Sequence, residues 1–208
     1  MEIVGNLNQP WNIKYSPKSI DEMILPKTTR RFFHHWINGN RAPLVLYGNP
    51  GTGKSMLARL LSDDQPVLVE CSRGVEMERI KLILNSASSI PLHPGRRTII
   101  FDDVEGLSSI ARTSLRVIER LTTITDFIFT TNNIQWLDSP LKSRLMEIDF
   151  NFRLDSEILS ETKDRLKSIC SKEMIDPPDN RTLEFLIKSH YPDLRKTISE
   201  LQKTILLR

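Results

Sequence analysis

Eight consecutive residues form a pattern that binds phosphate. Residues 48–55, Gly-Asn-Pro-Gly-Thr-Gly-Lys-Ser, fit the spacing G-x-x-x-x-G-K-[ST] between a strand-like and a helix-like segment. The glycines let the backbone curl so that amide groups point at phosphate oxygens, and the positive end of the following helix attracts the same charge. Lys54 is expected between the outer phosphates and Ser55 on magnesium. The pattern predicts a site for ATP and Mg2+, with these contacts: Gly48, Asn49, Pro50, Gly51, Thr52, Gly53, Lys54, Ser55 and Met56.

Two aspartates follow a second apolar run, at residues 98–101. An acidic side chain at a strand end can hold the water shell of a metal ion and activate an attacking water. Asp102 is therefore predicted to be the magnesium-side carboxylate and Asp103 the general base. Two aspartates after a strand are, taken alone, more often a turn. The phosphate loop upstream favours the catalytic interpretation.

Alternating strand-like and helix-like segments must position these groups. Strands are predicted at 44–47, 66–70, 98–101, 127–130 and 146–150. Helices are predicted to begin at Lys54, Glu76, Ser108 and Pro140, and a further helix at 28–37 precedes the first strand. This alternation is typical of an α/β fold in which helices flank a parallel sheet.

The strand signal ends after Phe150, and three helices are predicted beyond it. Asp155 can cap the first, the prolines near 177 break the chain before the second, and the third begins at Pro192. Apolar residues then recur every three or four positions, as on one face of a helix. The sequence predicts a nucleotide-binding domain over 1–152 and a small helical lid over 153–208.

Composition limits the class of protein. Of 208 residues, 39% are hydrophobic and 26% are charged, which is the profile of an ordinary globular protein. The apolar runs are too short to cross a membrane, so no membrane partner is expected. Cys71 and Cys170 match no metal-ligand spacing, which favours a reducing, cytoplasmic location. The net charge of +3 permits contact with nucleic acid, although a solvated surface explains it equally well.

Further segments of the chain resemble the AAA+ ATPases, and more narrowly the ATPase subunits of sliding-clamp loaders. Among these are the large subunit of T-even phage clamp loaders and the small subunits of replication factor C. The resemblance covers nearly the whole chain, and the phage likeness favours a bacteriophage source. Besides the two motifs above, it rests on residues 14–17, 20–26, 130–133, 140–144 and 193–196.

The resemblance assigns roles to three polar residues. Asn132 matches sensor 1, which orients the attacking water, although an asparagine after a strand is otherwise commonly a turn residue. Arg144 matches the arginine finger that reaches the ATP of a neighbouring subunit. Arg195 matches sensor 2, which contacts ATP from the lid. For either arginine, the plain alternative is an exposed surface residue.

The resemblance also implies an adenine pocket near the start of the chain. Its lining would stack on the base or make apolar contact with it, although isolated apolar residues are more often part of a core. The implied residues are Tyr15, Pro17, Ile24 and Leu25.

The chain departs from the family pattern in several places. Asp103 stands where the family has glutamate, and Glu105 follows two residues later. A carboxylate one methylene shorter can be misplaced by about 1 Å, which can slow catalysis about 100-fold, so we expect slow hydrolysis. Ser16 replaces a usual arginine, and a glutamine usual near Arg112 is missing. The family also carries a helical collar domain, which is not found in these 208 residues.

The function implied by the resemblance is ATP-dependent loading of a sliding clamp onto primed DNA. The implied partners are the clamp, primer-template DNA and other AAA+ subunits in a ring or open spiral. Two alternatives remain open at this point. One is a helicase loader or protein remodeller with the same ATPase core, and the other is an ATP-binding subunit with little turnover.

Overall fold

The computed structural model describes residues 9–39, 41–62, 66–89 and 95–207. Within these ranges the helices are α1 (Trp11–Lys14), α2 (Lys27–Asn38), α3 (Lys54–Leu60), α4 (Met77–Ala87), α5 (Ser109–Ser114), α6 (Ser139–Lys142), α7 (Ser156–Lys172), α8 (Asn180–His190) and α9 (Leu194–Leu206). The strands are β1 (Leu44–Tyr47), β2 (Val67–Glu70), β3 (Arg97–Asp102), β4 (Thr125–Thr131) and β5 (Met146–Asp149). The longest of these helices has 17 residues, and none in the described ranges combines the length and apolar character needed to cross a bilayer.

The five strands form one parallel sheet in the order β2-β3-β4-β1-β5. All seven residues of β4 are buried, as expected for a strand with neighbours on both sides and both faces covered. Parallel strands end at the same edge, so the residues that follow β1, β3 and β4 meet there. The predicted α/β fold with a parallel sheet is confirmed.

The core of the sheet is built around aromatic residues on neighbouring strands. The rings of Phe101 and Phe129 stack with centroids 5.1 Å apart and an interplanar angle of 6°. Both side chains are fully buried, as is Phe127 on the same strand as Phe129. Burial of each ring stabilises the fold by about 1.5–3 kcal/mol. This packing holds the two strands whose ends carry the predicted catalytic residues.

The contacts divide the chain into two compact units that differ from the predicted domains. The sheet unit comprises Lys27–Asn49 and Lys54–Asn151. The helical unit comprises the described residues of 1–26 and of 152–208, together with Pro50–Gly53 from the middle of the phosphate loop. Residues 9–26, which the sequence predicts in the nucleotide-binding domain, group in the structure with the C-terminal helices.

The helical unit has its own apolar core. The predicted helical lid is confirmed, since its described elements are the helices α7, α8 and α9. Trp11 joins the buried residues of α7, α8 and α9, and its backbone N–H donates to Oε1 of Gln202 at 3.0 Å. Each of the three long helices begins with an aspartate whose carboxylate accepts a backbone N–H of the first turn. The capping residues are Asp155, Asp179 and Asp193.

The cap of α8 generates a test of this unit. Oδ1 of Asp179 accepts the N–H of Thr182 at 2.8 Å, and this hydrogen bond is the main reason that the pKa of Asp179 is lowered. Asp179→Ala should lower Tm by about 2–5 °C at neutral pH, as measured by circular dichroism. Asp179→Asn, which keeps an acceptor, is the matched control.

The pH dependence of this difference follows from the direction of the pKa shift. A carboxyl group with a lowered folded-state pKa contributes stability above its ordinary pKa of about 3.9 and loses that contribution as pH falls through the folded-state value. The Tm difference between the parent and Asp179→Ala should therefore shrink on acidification. A difference that grows at low pH would contradict the assignment of this cap.

Candidate active site

The phosphate-loop lysine sits where β1 and β4 end. Nζ of Lys54 donates to the carbonyl oxygens of Gly48 at 2.7 Å and Asn49 at 2.8 Å, and to Oδ1 of Asn132 at 3.0 Å. Lys54 is only 5% exposed, so its ammonium group is largely desolvated and each of its three hydrogens is used. The predicted phosphate lysine and the predicted sensor 1 residue are therefore in direct contact.

The start of the loop is fixed to the sheet. The N–H of Gly48 donates to the carbonyl of Thr131 at 3.2 Å, and the N–H of Asn49 donates to Oδ1 of Asn151 at 2.9 Å. Gly48 has φ of +141°, and a Cβ there would lie 3.1 Å from the backbone of Asn151. A side chain at this position would therefore be strained and crowded. Glycine is required here by the backbone path.

Asp102 is positioned by a hydroxyl from the neighbouring strand. Oγ1 of Thr130 donates to Oδ1 of Asp102 at 2.5 Å, and no described group donates to Oδ2. Ser55 lies in the first turn of α3, half-buried. Two protein oxygens suit Mg2+, which keeps several waters and takes phosphate oxygens as its other ligands. Among the described residues, no cluster of three or more His, Cys, Asp or Glu side chains could hold a metal by itself.

Asp103 adopts a left-handed backbone conformation. Its φ and ψ are 54° and 57°, a region that Asp and Asn tolerate better than most residues because their short polar side chains bond locally. Its N–H donates to Oγ1 of Thr130 at 3.0 Å. The left-handed region costs most L-residues about 1–2 kcal/mol, and the hydrogen bond from the N–H of Asp103 to Thr130 helps to offset this cost.

Glu105 is a residue of this edge whose role the sequence did not predict. Its Oε1 accepts the hydroxyl of Thr131 at 2.8 Å, the backbone N–H of Asn133 at 3.2 Å and the backbone N–H of Asn132. The sequence contained one signal, an acidic residue two positions after Asp103. It did not indicate that this carboxylate would hold the end of β4.

Arg144, the predicted arginine finger, lies just after α6 at the surface of the sheet unit. Its Nε is 3.0 Å from Oε2 of Glu119, and the two side chains are 31% and 67% exposed. Its guanidinium also donates to the carbonyl of Pro140. Asp138 caps α6, and its pKa is lowered chiefly by a hydrogen bond from Arg116. An exposed ion pair such as Arg144 with Glu119 contributes about 0–1 kcal/mol, so Arg144 can be released at little cost.

In the helical unit, the centre of the phosphate loop touches the start of α9. Gly51 has φ of +78°, and a Cβ there would lie 2.0 Å from Oδ1 of Asp193. The N–H of Leu194 donates to the carbonyl of Gly51 at 3.2 Å. The next residue is Arg195, the predicted sensor 2, which is exposed. Arg195 is therefore the next residue in the chain after Leu194, which contacts the phosphate loop.

The predicted adenine residues are separated in the helical unit. Ile24 lines a small cleft with Leu194, Ile198 and four further residues of α7 and α9. Leu25 is fully buried and offers no surface to a base. Tyr15 donates its hydroxyl to Oε1 of Glu173 at 2.6 Å, and burial raises its pKa. Neither Tyr15 nor Pro17 is among the described residues that line the cleft, and an adenine pocket here stays a prediction.

Comparison with protein families gives two matches that together span most of the chain. Residues 44–154 match the model of the ATPase family associated with various cellular activities (AAA). Residues 155–204 match the AAA+ ATPase lid domain of the sliding-clamp-loader large subunit. The second match covers the described helices α7, α8 and nearly all of α9.

Individual proteins give the same result. The sliding-clamp-loader large subunits of Enterobacteria phage T4 and Escherichia phage RB69 are 31% and 29% identical to the chain, over 90% and 91% of it and 62% of each relative. Human replication factor C subunit 5 is 27% identical over 95% of the chain and 60% of its own length. The chain thus spans less than two thirds of these relatives. The resemblance to clamp loaders is confirmed.

Among solved structures, the fold is shared with a branch migration motor. The Thermotoga maritima RuvB Holliday junction branch migration motor superimposes with a TM-score of 0.71 at 19% identity, over 90% of the chain and 64% of that structure. At this identity the likeness concerns the fold alone.

The contacts of Lys54 generate a test of nucleotide binding. Lys54→Ala removes the ammonium that joins the loop carbonyls to Asn132, and it should abolish binding of a fluorescent ATP analogue in titrations. Lys203→Ala, which removes an exposed lysine from α9, is the control and should bind as the parent does. Unchanged affinity in Lys54→Ala would refute this site.

Proposed function

The chain belongs to the ATPase family associated with various cellular activities, and from this we propose that it is an ATP-hydrolysing subunit of the sliding-clamp-loader type. The observation that carries the proposal is the match of residues 155–204 to a clamp-loader lid, directly after an ATPase match over 44–154. The contact of Lys54 with Asn132 supports it, because it joins the phosphate loop to the sensor of the same unit.

The proposed reaction is transfer of the terminal phosphoryl group of ATP to water. A water oxygen forms a bond to the γ-phosphorus, the bond to the ADP oxygen breaks, and Asp103 takes a proton from the water. Lys54 neutralises phosphate charge, and Asn132 orients the water from its position beside the ammonium. Ser55 and Asp102 would hold Mg2+, which when bound offsets the charge of the phosphates.

Roles for two arginines are proposed from the resemblance to the family. Arg144 is proposed to leave Glu119 and reach the ATP of a neighbouring subunit, where its fixed charge would stabilise the transition state. Arg195 is proposed as sensor 2. Support for it comes from its own unit, where Leu194 bonds to Gly51 of the phosphate loop.

The proposed partners follow from the names of the relatives. They are a sliding clamp, primer-template DNA and other AAA+ subunits, and the proposed task is to place the clamp on DNA when ATP binds. A cytoplasmic setting is part of the proposal, because two buried cysteines that match no metal-ligand spacing favour a reducing compartment. A helicase loader or remodeller is less well supported, because the lid matches the clamp-loader family.

The partners generate a test of this function. Adding a sliding clamp and primed DNA from the same source, with any partner subunits, should raise the ATP turnover of the chain. Phosphate release is the measurement. Turnover that the clamp and DNA leave unchanged would exclude clamp loading.

In that assay, Arg144→Ala should leave binding of fluorescent ATP intact and reduce the stimulated rate by about 10³-fold or more. The reason is that a finger acts only on the ATP of a neighbour. Arg120→Ala, in the turn that also carries Glu119, is the matched control. Mixing Arg144→Ala with a subunit that has an intact finger should restore part of the rate. Loss of turnover in the isolated Arg144→Ala chain would instead indicate a role within its own unit.

A further inference from the structure

Glu105 connects the turn after β3 to the end of β4. A single oxygen, Oε1, receives the hydroxyl of Thr131 and the backbone N–H groups of Asn132 and Asn133. The hydroxyl of Thr131 also lies 3.0 Å from the carbonyl of Asn133, and the N–H of Asn133 also reaches Oγ1 of Thr131 at 3.1 Å, so Oε1 shares these two donors, whereas the N–H of Asn132 donates to Oε1. These hydrogen bonds fix the backbone of the residue whose side chain contacts Lys54.

The turn that carries Glu105 is itself fixed. It is the 3-10 turn Val104–Gly106, closed by a hydrogen bond from the N–H of Leu107 to the carbonyl of Val104 at 3.0 Å. A Cβ on Gly106 would lie 1.8 Å from the carbonyl oxygen of Cys71. Only glycine allows the turn to approach the end of β2 so closely. Glu105 is therefore held on a rigid support.

The second carboxylate oxygen is in an unusual position. Oε2 of Glu105 is buried and has no hydrogen-bond donor among the described residues. A buried polar atom without a partner is uncommon and calls for a reason, since it costs stability. The fold tolerates the unpaired Oε2 of Glu105, while Oε1 of the same side chain holds the backbone of Asn132.

We propose that Glu105 is a positioning residue for ATP hydrolysis, which fixes the backbone of Asn132 so that the sensor amide stays beside Lys54. This inference rests on the proposed function and deepens it. Glu105 does not act as the base, because Oε1 already serves three donors and Oε2 is buried. Asp103 keeps that role.

The matched pair Glu105→Gln and Glu105→Ala separates positioning from proton transfer. Glutamine retains a side-chain oxygen that can accept the three donors, so its turnover should stay within about 3-fold of the parent. Alanine removes the acceptor and should slow turnover about 10–100-fold with little change in ATP affinity. If Glu105→Gln loses as much activity as Asp103→Asn, Glu105 is a base and the proposal is wrong.

A double variant tests whether Glu105 acts through Asn132. If it does, Glu105→Ala with Asn132→Ala should be no slower than Asn132→Ala alone, within about 2-fold. Losses that multiply would overturn the proposal. If Glu105 contributed only to stability, the turnover losses of Glu105→Ala and Asn132→Ala would also multiply.

Hydrogen exchange provides a measurement that does not depend on turnover. The amide of Asn132 should exchange at least about 10-fold faster in Glu105→Ala and by a smaller factor in Glu105→Gln, which keeps the acceptor without its charge. Equal protection in Glu105→Ala would refute the positioning role. If the parent binds ATP without hydrolysing it, the proposed function fails, and the exchange data still decide what Glu105 holds.

Discussion

The hydroxyl of Thr130 links Asp102 and Asp103, at the end of β3, to the central strand β4. It donates to Oδ1 of Asp102 and accepts the N–H of Asp103. Thr130 is fully buried in β4, and the two aspartates are half-buried, so both hydrogen bonds are partly shielded from water. The direction of the Asp102 carboxylate and the left-handed turn at Asp103 both depend on this one group.

The next three residues of the same strand end carry the rest of the arrangement. Asn132 contacts Lys54, and the backbone after Thr131 is held by Glu105. A buried parallel strand is well suited to this, because its position is set by neighbours on both sides. In the sheet unit, the end of β4 therefore contacts or carries Lys54, Asp102 and Asn132, the residues proposed as phosphate lysine, metal-side carboxylate and sensor. Arg144, by contrast, lies at the surface in an exposed ion pair with Glu119 that can break.

Much of the fold could be predicted because its signals are local. Apolar runs bounded by glycine or aspartate placed β1 correctly at Leu44–Tyr47 and the start of α3 at Lys54. The phosphate loop could be predicted from the sequence because phosphate geometry sets its residue spacing. The grouping of Trp11 with α9 was not, since it depends on a contact between residues 191 positions apart. Likewise, the contacts of Glu105 and the conformation of Asp103 arise only when β3 and β4 pair.

We propose that the hydroxyl of Thr130 orients the carboxylate of Asp102 as a ligand for Mg2+. The most direct test is the Mg2+ dependence of fluorescent ATP binding in Thr130→Val, which keeps the shape and removes the hydroxyl, with Thr130→Ser as the control. Loss of a group that orients a metal ligand typically weakens metal affinity about 10–100-fold. We expect half-saturation at about 10-fold higher Mg2+ for Thr130→Val and a parental curve for Thr130→Ser. A Thr130→Val curve that superimposes on the parent curve would show that the Thr130 hydroxyl does not orient Asp102 for Mg2+.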